Sequence, residues 1–289
     1  MIWDAYFCTY EGDVQEITAE LTRLFYLAEM QPVRGRTYGY ERIVGWFHGP
    51  EELARMYHGG NGGRCSVQSK GQASIDVARR MRYVFPDHSV SRADVRQDWH
   101  YQGAWEEITA MALRIAQEHG LRLTEIKGHG HGDTLYLGSR SSVSHVRIYQ
   151  KAKEMMGPDA DPDHVRVELE LKPGNGMAKR MLARMKPEEC FGSSEWTREL
   201  ATALWGIPPE KVKLGTVYRA PEILRTRRWL VSQGLQALEH WAEDVGGWAA
   251  LGRAMHELKA EQEAIKEAAQ VRRAAAPICV GARSQSEGV

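Results

Sequence analysis

Several features that would indicate particular classes of protein are scarce or absent in this 289-residue chain. Its four cysteines are scattered with no Cys-x-x-Cys pair, a pattern that favours free thiols in a reducing compartment over disulfides or a zinc knuckle. No run of about 18 apolar residues occurs, and no basic stretch followed by an apolar run opens the chain. We therefore expect a cytoplasmic protein with neither a membrane span nor a secretory leader. The pattern Gly-x-x-x-x-Gly-Lys-Ser/Thr is also missing, which argues against an ATPase.

Net charge of one sign is lacking as well. Lysine plus arginine number 38, and so do aspartate plus glutamate. A strongly basic chain would have indicated a nucleic-acid partner, so only the local distribution of charge carries information here. The hydrophobic share of 43% and the charged share of 26% are typical of a globular protein.

The order of strand-like and helix-like segments predicts an α+β fold with curved, mostly antiparallel sheets and helices on the outer faces. A strand-helix-strand-strand-helix pattern occurs twice, before and after about residue 88, which indicates an internal duplication. Within the first copy, Pro50, Glu51 and Glu52 are typical of a helix start, and we expect a short helix that ends at Gly59. We expect a domain over 1–186, a helical region over 187–275 with helices at 221–245 and 248–275, and a disordered tail over 276–289.

One strand-like segment places a tyrosine between two cations. Because side chains alternate along a strand, Arg147, Tyr149 and Lys151 are expected to share one face. Two cations would stabilise a phenolate and would also hold a phosphodiester, and tyrosine can act as a covalent nucleophile. The alternative is a half-buried structural tyrosine beside solvated cations.

Two further segments carry carboxylates in alternation. Asp94 and Asp98 are expected on one strand face, and Glu168 and Glu170 on another, where they alternate with valines and leucines. Paired carboxylates suit a hard cation such as Mg²⁺ or Mn²⁺, and aspartate is depleted in strands. Salt bridges to neighbouring arginines, or a solvated outer face, would explain the same pattern.

Taken in this order, the segments resemble the replication initiation factor family of rolling-circle plasmids, integrative elements and filamentous phages. The resemblance covers roughly residues 3–250. The segments that carry it are Arg92-Ala-Asp94 through Asp98, Thr134-Leu-Tyr-Leu-Gly-Ser139, Arg147-Ile-Tyr-Gln-Lys151 with Glu154, and Arg166-Val-Glu168. The chain departs from the family where Arg96 stands between the two aspartates, in place of a small apolar residue.

The resemblance implies a site-specific single-strand DNA endonuclease and ligase. Tyr149 would attack the scissile phosphodiester, become linked to the 5′ phosphate and release a 3′ hydroxyl, with Arg147 and Lys151 beside it. It further implies a Mg²⁺ or Mn²⁺ ion, double-stranded origin DNA and its nicked strand as partners, and a host helicase. A homodimer through the C-terminal helices is a further expectation. The other residues carried over are Asp94 and Glu168, then Asp98 and Glu170, as metal ligands, and Arg92, Arg140 and Arg166 as DNA contacts.

Three alternatives remain open from the sequence. The chain could be a DNA-binding regulator without catalysis, in which Tyr149 packs or stacks. It could instead be a hydrolytic nuclease that activates water with a metal. His129-Gly-His131 also resembles the His-hydrophobic-His motif of another class of nickases, although the surrounding glycines favour a loop.

Overall fold

A computed structural model describes residues 1–128, 131–206, 208–214 and 222–275. It divides the chain into two compact units, Met1–Tyr218 and Arg219–Val289. The first unit is built on one antiparallel sheet of ten strands, which confirms the predicted α+β class.

The elements follow one another in a regular order. The strands are β1 (Ile2–Tyr10), β2 (Glu29–Pro32), β3 (Tyr40–His48), β4 (Glu51–Gly60), β5 (Cys65–Lys70), β6 (Ser89–His100), β7 (Leu123–Ile126), β8 (Thr134–Leu137), β9 (Ser144–Gln150) and β10 (His164–Leu171). The helices are α1 (Val14–Leu24), α2 (Ala73–Val84), α3 (Ala104–Glu118), α4 (Lys151–Met156), α5 (Gly176–Arg184), α6 (Glu195–Trp205), α7 (Glu222–Val245) and α8 (Trp248–Ala275). Short 3₁₀ segments occupy Asn61–Gly63 and Glu188–Ser193.

The two halves of the sheet have the same internal strand order. Counted outward from the centre, each half has its first strand in the chain, then its last strand, and then the others in reverse chain order. The full order runs β2-β3-β4-β5-β1-β6-β10-β9-β8-β7, with β1 antiparallel to β6. The chain up to α2 forms one β-α-β-β-β-β-α unit, and the chain from β6 to α5 repeats it with the addition of α4. A pseudo-twofold axis between β1 and β6 therefore relates the two halves. The predicted duplication is present, and each copy has five strands where the predicted repeat pattern has three.

The two faces of the sheet differ in chemistry because side chains alternate along each strand. On β10, Val165, Val167, Leu169 and Leu171 are fully buried, whereas the intervening residues are arginine and glutamate. The buried face packs against α1, α2, α3, α5 and α6 to form the core. The opposite face is polar across the centre of the sheet, and it carries the predicted site residues.

Two expectations differ from the structure. The helix expected from Pro50 to Gly59 is strand β4, which pairs with β3 on one side and β5 on the other. Sheet pairing here overrides the local helix signals, as tertiary context commonly does. The boundary expected after residue 186 lies inside the first unit, because Phe191 and Leu200 belong to its core.

The second unit contains α7 and α8, which pack against each other. Their bounds confirm the two helices predicted from the sequence, and Gly246 and Gly247 join them with positive φ angles of 90° and 109°. Of the helices that the structure describes, none combines the length and apolar character needed to span a bilayer. The expected tail over 276–289 lies outside the described residues.

Candidate functional site

Three neighbouring strands, β6, β10 and β9, bring most of the predicted site residues onto the polar face of the sheet. Their pairing registers are continuous across β10. Strands lie about 4.8 Å apart, so residues on β6 and β9 in the same row are within roughly 10 Å of each other. The three rows are Asp98–Arg166–Tyr149, Arg96–Glu168–Arg147 and Asp94–Glu170–His145.

Tyr149 lies in this face beneath the side chain of Arg147. The guanidinium carbon of Arg147 is 3.7 Å from the centre of the tyrosine ring, and Tyr149 is only 3% exposed. Burial raises the pKa of Tyr149 to about 12, and the positive charge of Arg147 offsets only part of that effect. The sequence led us to expect a stabilised phenolate, and this was wrong for the free protein because desolvation outweighs the cations.

Lys151 is not on the strand, because β9 ends at Gln150 and Lys151 begins α4. Its ammonium is nevertheless 5.6 Å from the centre of the Tyr149 ring. Glu154, one turn further along α4, pairs with Lys151 at 2.7 Å and with Arg147 at 3.4 Å. One exposed carboxylate therefore pairs with both cations beside the tyrosine.

Arg166 is held by a bidentate pair with Asp98. Its Nε and one terminal nitrogen donate to the two carboxylate oxygens at 2.6 and 2.8 Å. Burial alone would raise the pKa of Asp98, but the hydrogen bonds and charge of Arg166 outweigh it and hold that pKa below its usual value. Asp98 thus serves to orient Arg166 in the described arrangement.

Arg92 neutralises two of the predicted metal ligands. It makes a bidentate pair with Asp94, at 2.9 and 2.5 Å, and lies 2.8 Å from Glu170. Glu170 also pairs with Lys172 at 2.5 Å. Burial raises the pKa of Asp94 in spite of the hydrogen bonds from Arg92.

Glu168 is the least compensated carboxylate of the face. Its only ion pair among the described residues is a long one, 3.6 Å to Arg147. Burial raises the pKa of Glu168 to about 7, and the negative charges of Asp94 and Asp4 raise it further against the opposing effect of Arg147. The site therefore has an excess of buried negative potential at this position.

This arrangement bears on whether the site suits a metal ion. Within the described ranges, no group of three or more histidine, cysteine, aspartate or glutamate side chains is positioned to hold one. The chemistry of the donors fits a hard cation, since Asp94 and Glu168 offer carboxylate oxygens and Glu168 lacks a close counter-charge. The two carboxylates would bind a cation only after Arg92 releases Asp94.

Other predicted residues lie at the margin of the site. Arg140 is in the turn between β8 and β9, where it is exposed and stacks on Tyr136 at 5.2 Å. Tyr136 lies opposite Arg147 in the sheet and stacks on His145. Of the His-x-His segment, His129 and Gly130 lie outside the described residues, and His131 is exposed.

Asp4 is a site residue that sequence reasoning missed. It lies on β1, with one oxygen 2.8 Å from Arg96 and 3.7 Å from Arg166. A lone aspartate in an aromatic strand was the available signal, because aspartate is unusual in strands. Only the pairing of β1 with β6 shows that it belongs to this face.

Comparison with known proteins supports the resemblance seen in the sequence. Residues 91–199 match the family model described as replication initiation factor. The matched segment is less than half of the chain, and it contains every residue of the three rows. No protein with a curated description matches the chain.

A solved structure is also similar to this chain. It is described as the structure of a rolling circle replication initiator protein from Geobacillus stearothermophilus. The identity is 19%, the TM-score is 0.46, and the match covers 66% of this chain and 82% of the other.

Proposed function

We propose that the chain is a rolling-circle replication initiator that nicks and rejoins one strand of origin DNA, with Tyr149 as the nucleophile. The observation that carries this proposal is the set of three cations around one tyrosine on a sheet face, within the segment that matches the replication initiation factor model. Arg147 and Lys151 flank the phenol, and Arg166 is its neighbour on β10.

These cations suit a phosphodiester. Arg166 is oriented by Asp98, and its remaining donors are available for phosphate oxygens. The Nε of Arg147 is buried without a hydrogen-bond partner in the described part of the chain. A phosphate that displaces Glu154 from Arg147 and Lys151 would bind both cations and draw Arg147 away from the tyrosine ring.

In the proposed reaction, the oxygen of Tyr149 forms a bond to phosphorus and the phenol gives up its proton. The bond from phosphorus to the 3′ oxygen breaks, and that oxygen leaves with the electron pair and takes up a proton. The product is a 5′-phosphotyrosine, and because the phosphoester is conserved, the reverse attack by a 3′ hydroxyl rejoins a strand. Asp94 and Glu168 would hold a Mg²⁺ or Mn²⁺ ion, which would neutralise charge on the phosphate. Origin DNA, a host helicase and a homodimer are part of the same proposal.

The test uses supercoiled DNA of the chain's own replicon with Mg²⁺ or Mn²⁺. Wild type is expected to relax the DNA and to form a tyrosyl adduct that mass spectrometry locates at Tyr149. Tyr149→Phe is expected to lose both products, because the ring remains and only the nucleophilic oxygen is removed. Tyr83→Phe serves as the matched control, since Tyr83 is on α2 and 84% exposed.

Other outcomes identify the alternatives. If Tyr149→Phe still nicks and no adduct forms in wild type, the protein is a hydrolytic nuclease. Binding of origin DNA by both proteins without any nicking would identify a regulator on the same scaffold.

A further inference from the structure

The first half of the sheet contains a counterpart of the candidate site. The pseudo-twofold axis relates β4 to β9 and β5 to β10. Arg55 pairs with Gln68 and Tyr57 with Ser66, just as Arg147 pairs with Glu168 and Tyr149 with Arg166. The Arg-x-Tyr sequence of β9 is therefore repeated on β4, at the corresponding register and on the same face of the sheet.

The counterpart lacks the charges that the candidate site uses. Gln68 stands where the second half has Glu168, and Ser66 stands where it has Arg166. Arg55 is held by Glu52 through hydrogen bonds of 2.5 and 2.7 Å. Without a counterpart of Glu168 opposite the arginine and a second guanidinium opposite the tyrosine, this half is not equipped for phosphoryl transfer.

In place of those charges, the first half has a cluster of aromatic rings in edge-to-face and tilted contact. Tyr57 is buried beneath Tyr38 and Tyr40, whose ring centres lie 6.0 and 5.8 Å from its own. Tyr38 is 64% exposed and has a positive φ of 53°, a backbone conformation that costs energy in a residue other than glycine. The guanidinium of Arg36 lies 5.2 Å from the centre of the Tyr38 ring. An exposed ring with a cation beside it is the arrangement on which a nucleic-acid base stacks while its phosphate is neutralised.

The two halves of the face are continuous. The guanidinium carbon of Arg92 on β6 lies over the ring of Phe7 on β1, 5.3 Å from the ring centre. This pair connects the aromatic half of the face to the charged half. Tyr57 and Tyr149 are five strand spacings apart, about 24 Å along the sheet. At about 3.4 Å per stacked nucleotide, roughly seven nucleotides of one strand would cover that distance.

We propose that Arg36, Tyr38 and the tyrosines beneath them form a second, non-catalytic binding site for single-stranded DNA. This inference rests on the proposed function for its biological role, since the strand bound there would be the one that Tyr149 nicks. The occupant is single-stranded because a base can stack on Tyr38 only when it is not paired within a duplex.

The test measures binding of fluorescein-labelled dT20 by fluorescence anisotropy, with no metal present. Tyr38→Ala is expected to weaken binding about tenfold, since loss of one base-stacking ring typically has an effect of this size. Tyr38→Phe is expected to retain wild-type affinity because the ring remains. Tyr83→Ala, which removes another exposed tyrosine, on α2, is the matched control and is expected to have no effect.

Equal affinity of wild type and Tyr38→Ala for dT20 would overturn the inference, and so would equal losses in Tyr38→Ala and Tyr83→Ala. The inference is also wrong if wild type does not bind dT20. Circular dichroism of each variant shows whether the fold is retained, and Tyr38→Phe provides an independent comparison. Failure of the proposed function has a different signature, the absence of nicking and adduct in wild type, and it leaves the dT20 result unchanged.

Discussion

The buried carboxylate of Glu168 is expected to lower the stability of the free protein at neutral and alkaline pH. Burial raises its pKa to about 7, so the folded protein holds a proton that the unfolded chain has already released. Stability therefore falls as the pH rises from about 4.5, the ordinary value for glutamate, through the folded pKa. Below that window both states are protonated, and the penalty disappears.

The expected magnitude follows from the two pKa values. They differ by about 2.5, and at about 1.4 kcal/mol for each pH unit the penalty above pH 7 is about 3 kcal/mol. Glu168→Gln removes the charge and keeps the shape of the side chain. This variant is expected to have a higher free energy of unfolding than wild type at pH 8 by up to about 3 kcal/mol, and to match wild type near pH 4.

The measurement is urea unfolding followed by tryptophan fluorescence, with EDTA present, at pH 4 and pH 8. Glu170→Gln is the matched control on the same strand and face. Glu170 has close ion pairs with Arg92 and Lys172, so its replacement is expected to lower stability at pH 8 by about 1–2 kcal/mol. Millimolar Mn²⁺ in place of EDTA is expected to stabilise wild type and not Glu168→Gln. A Glu168→Gln protein that is less stable than wild type at pH 8, or equally changed at both pH values, would refute the reasoning.

Two further predictions concern the supports of the site. Arg166→Met is expected to lower the free energy of unfolding by about 2–3 kcal/mol at pH 7, because Asp98 loses its charged hydrogen bonds. This loss of stability should shrink as the pH falls below about 4, towards the lowered folded pKa of Asp98. Arg55→Met, whose ion pair is more exposed, should lower the free energy of unfolding by less than about 1 kcal/mol. Phe191→Ala, at a fully buried position of the 3₁₀ segment, is expected to cost about 3–5 kcal/mol in urea unfolding. A cost below about 1 kcal/mol would contradict its place in the core of the first unit.

The strands that carry the candidate site were predictable because their patterns are strong. On β10, valine and leucine alternate strictly with charged residues, and this alone fixes which side chains share a face. The pairing of Asp98 with Arg166 required the register between strands. Asp94 and Arg92 are two residues apart on β6, and their salt bridge is one of the alternatives that the sequence left open. Sequence periodicity contains no register, so it could not decide between a metal and an arginine of another strand as the partner of Asp98.

The first half of the sheet shows a different limit of prediction from the sequence. Pro50 and the two glutamates after it are typical of a helix start, and Gly59 and Gly60 of a helix end, so the segment between them was expected to be helical. A helix would scatter Arg55 and Tyr57 over different faces, and their likeness to Arg147 and Tyr149 was hidden for this reason. The counterpart became visible only with the pairing of β4 to β5.

The seam between β1 and β6 also has a consequence for synthesis of the chain. Once residues 1–84 have left the ribosome, they can form a five-stranded sheet in which β1 is an edge strand. Until β6 has been made, the backbone groups on that edge are unpaired, and the apolar face that carries Trp3 and Tyr6 has no strand beside it. A half-made chain is thus a template for joining the wrong partner, such as β1 of a second nascent copy. Prompt emergence of β6 closes that edge, so slow translation just after residue 84 is expected to lower the yield of folded protein.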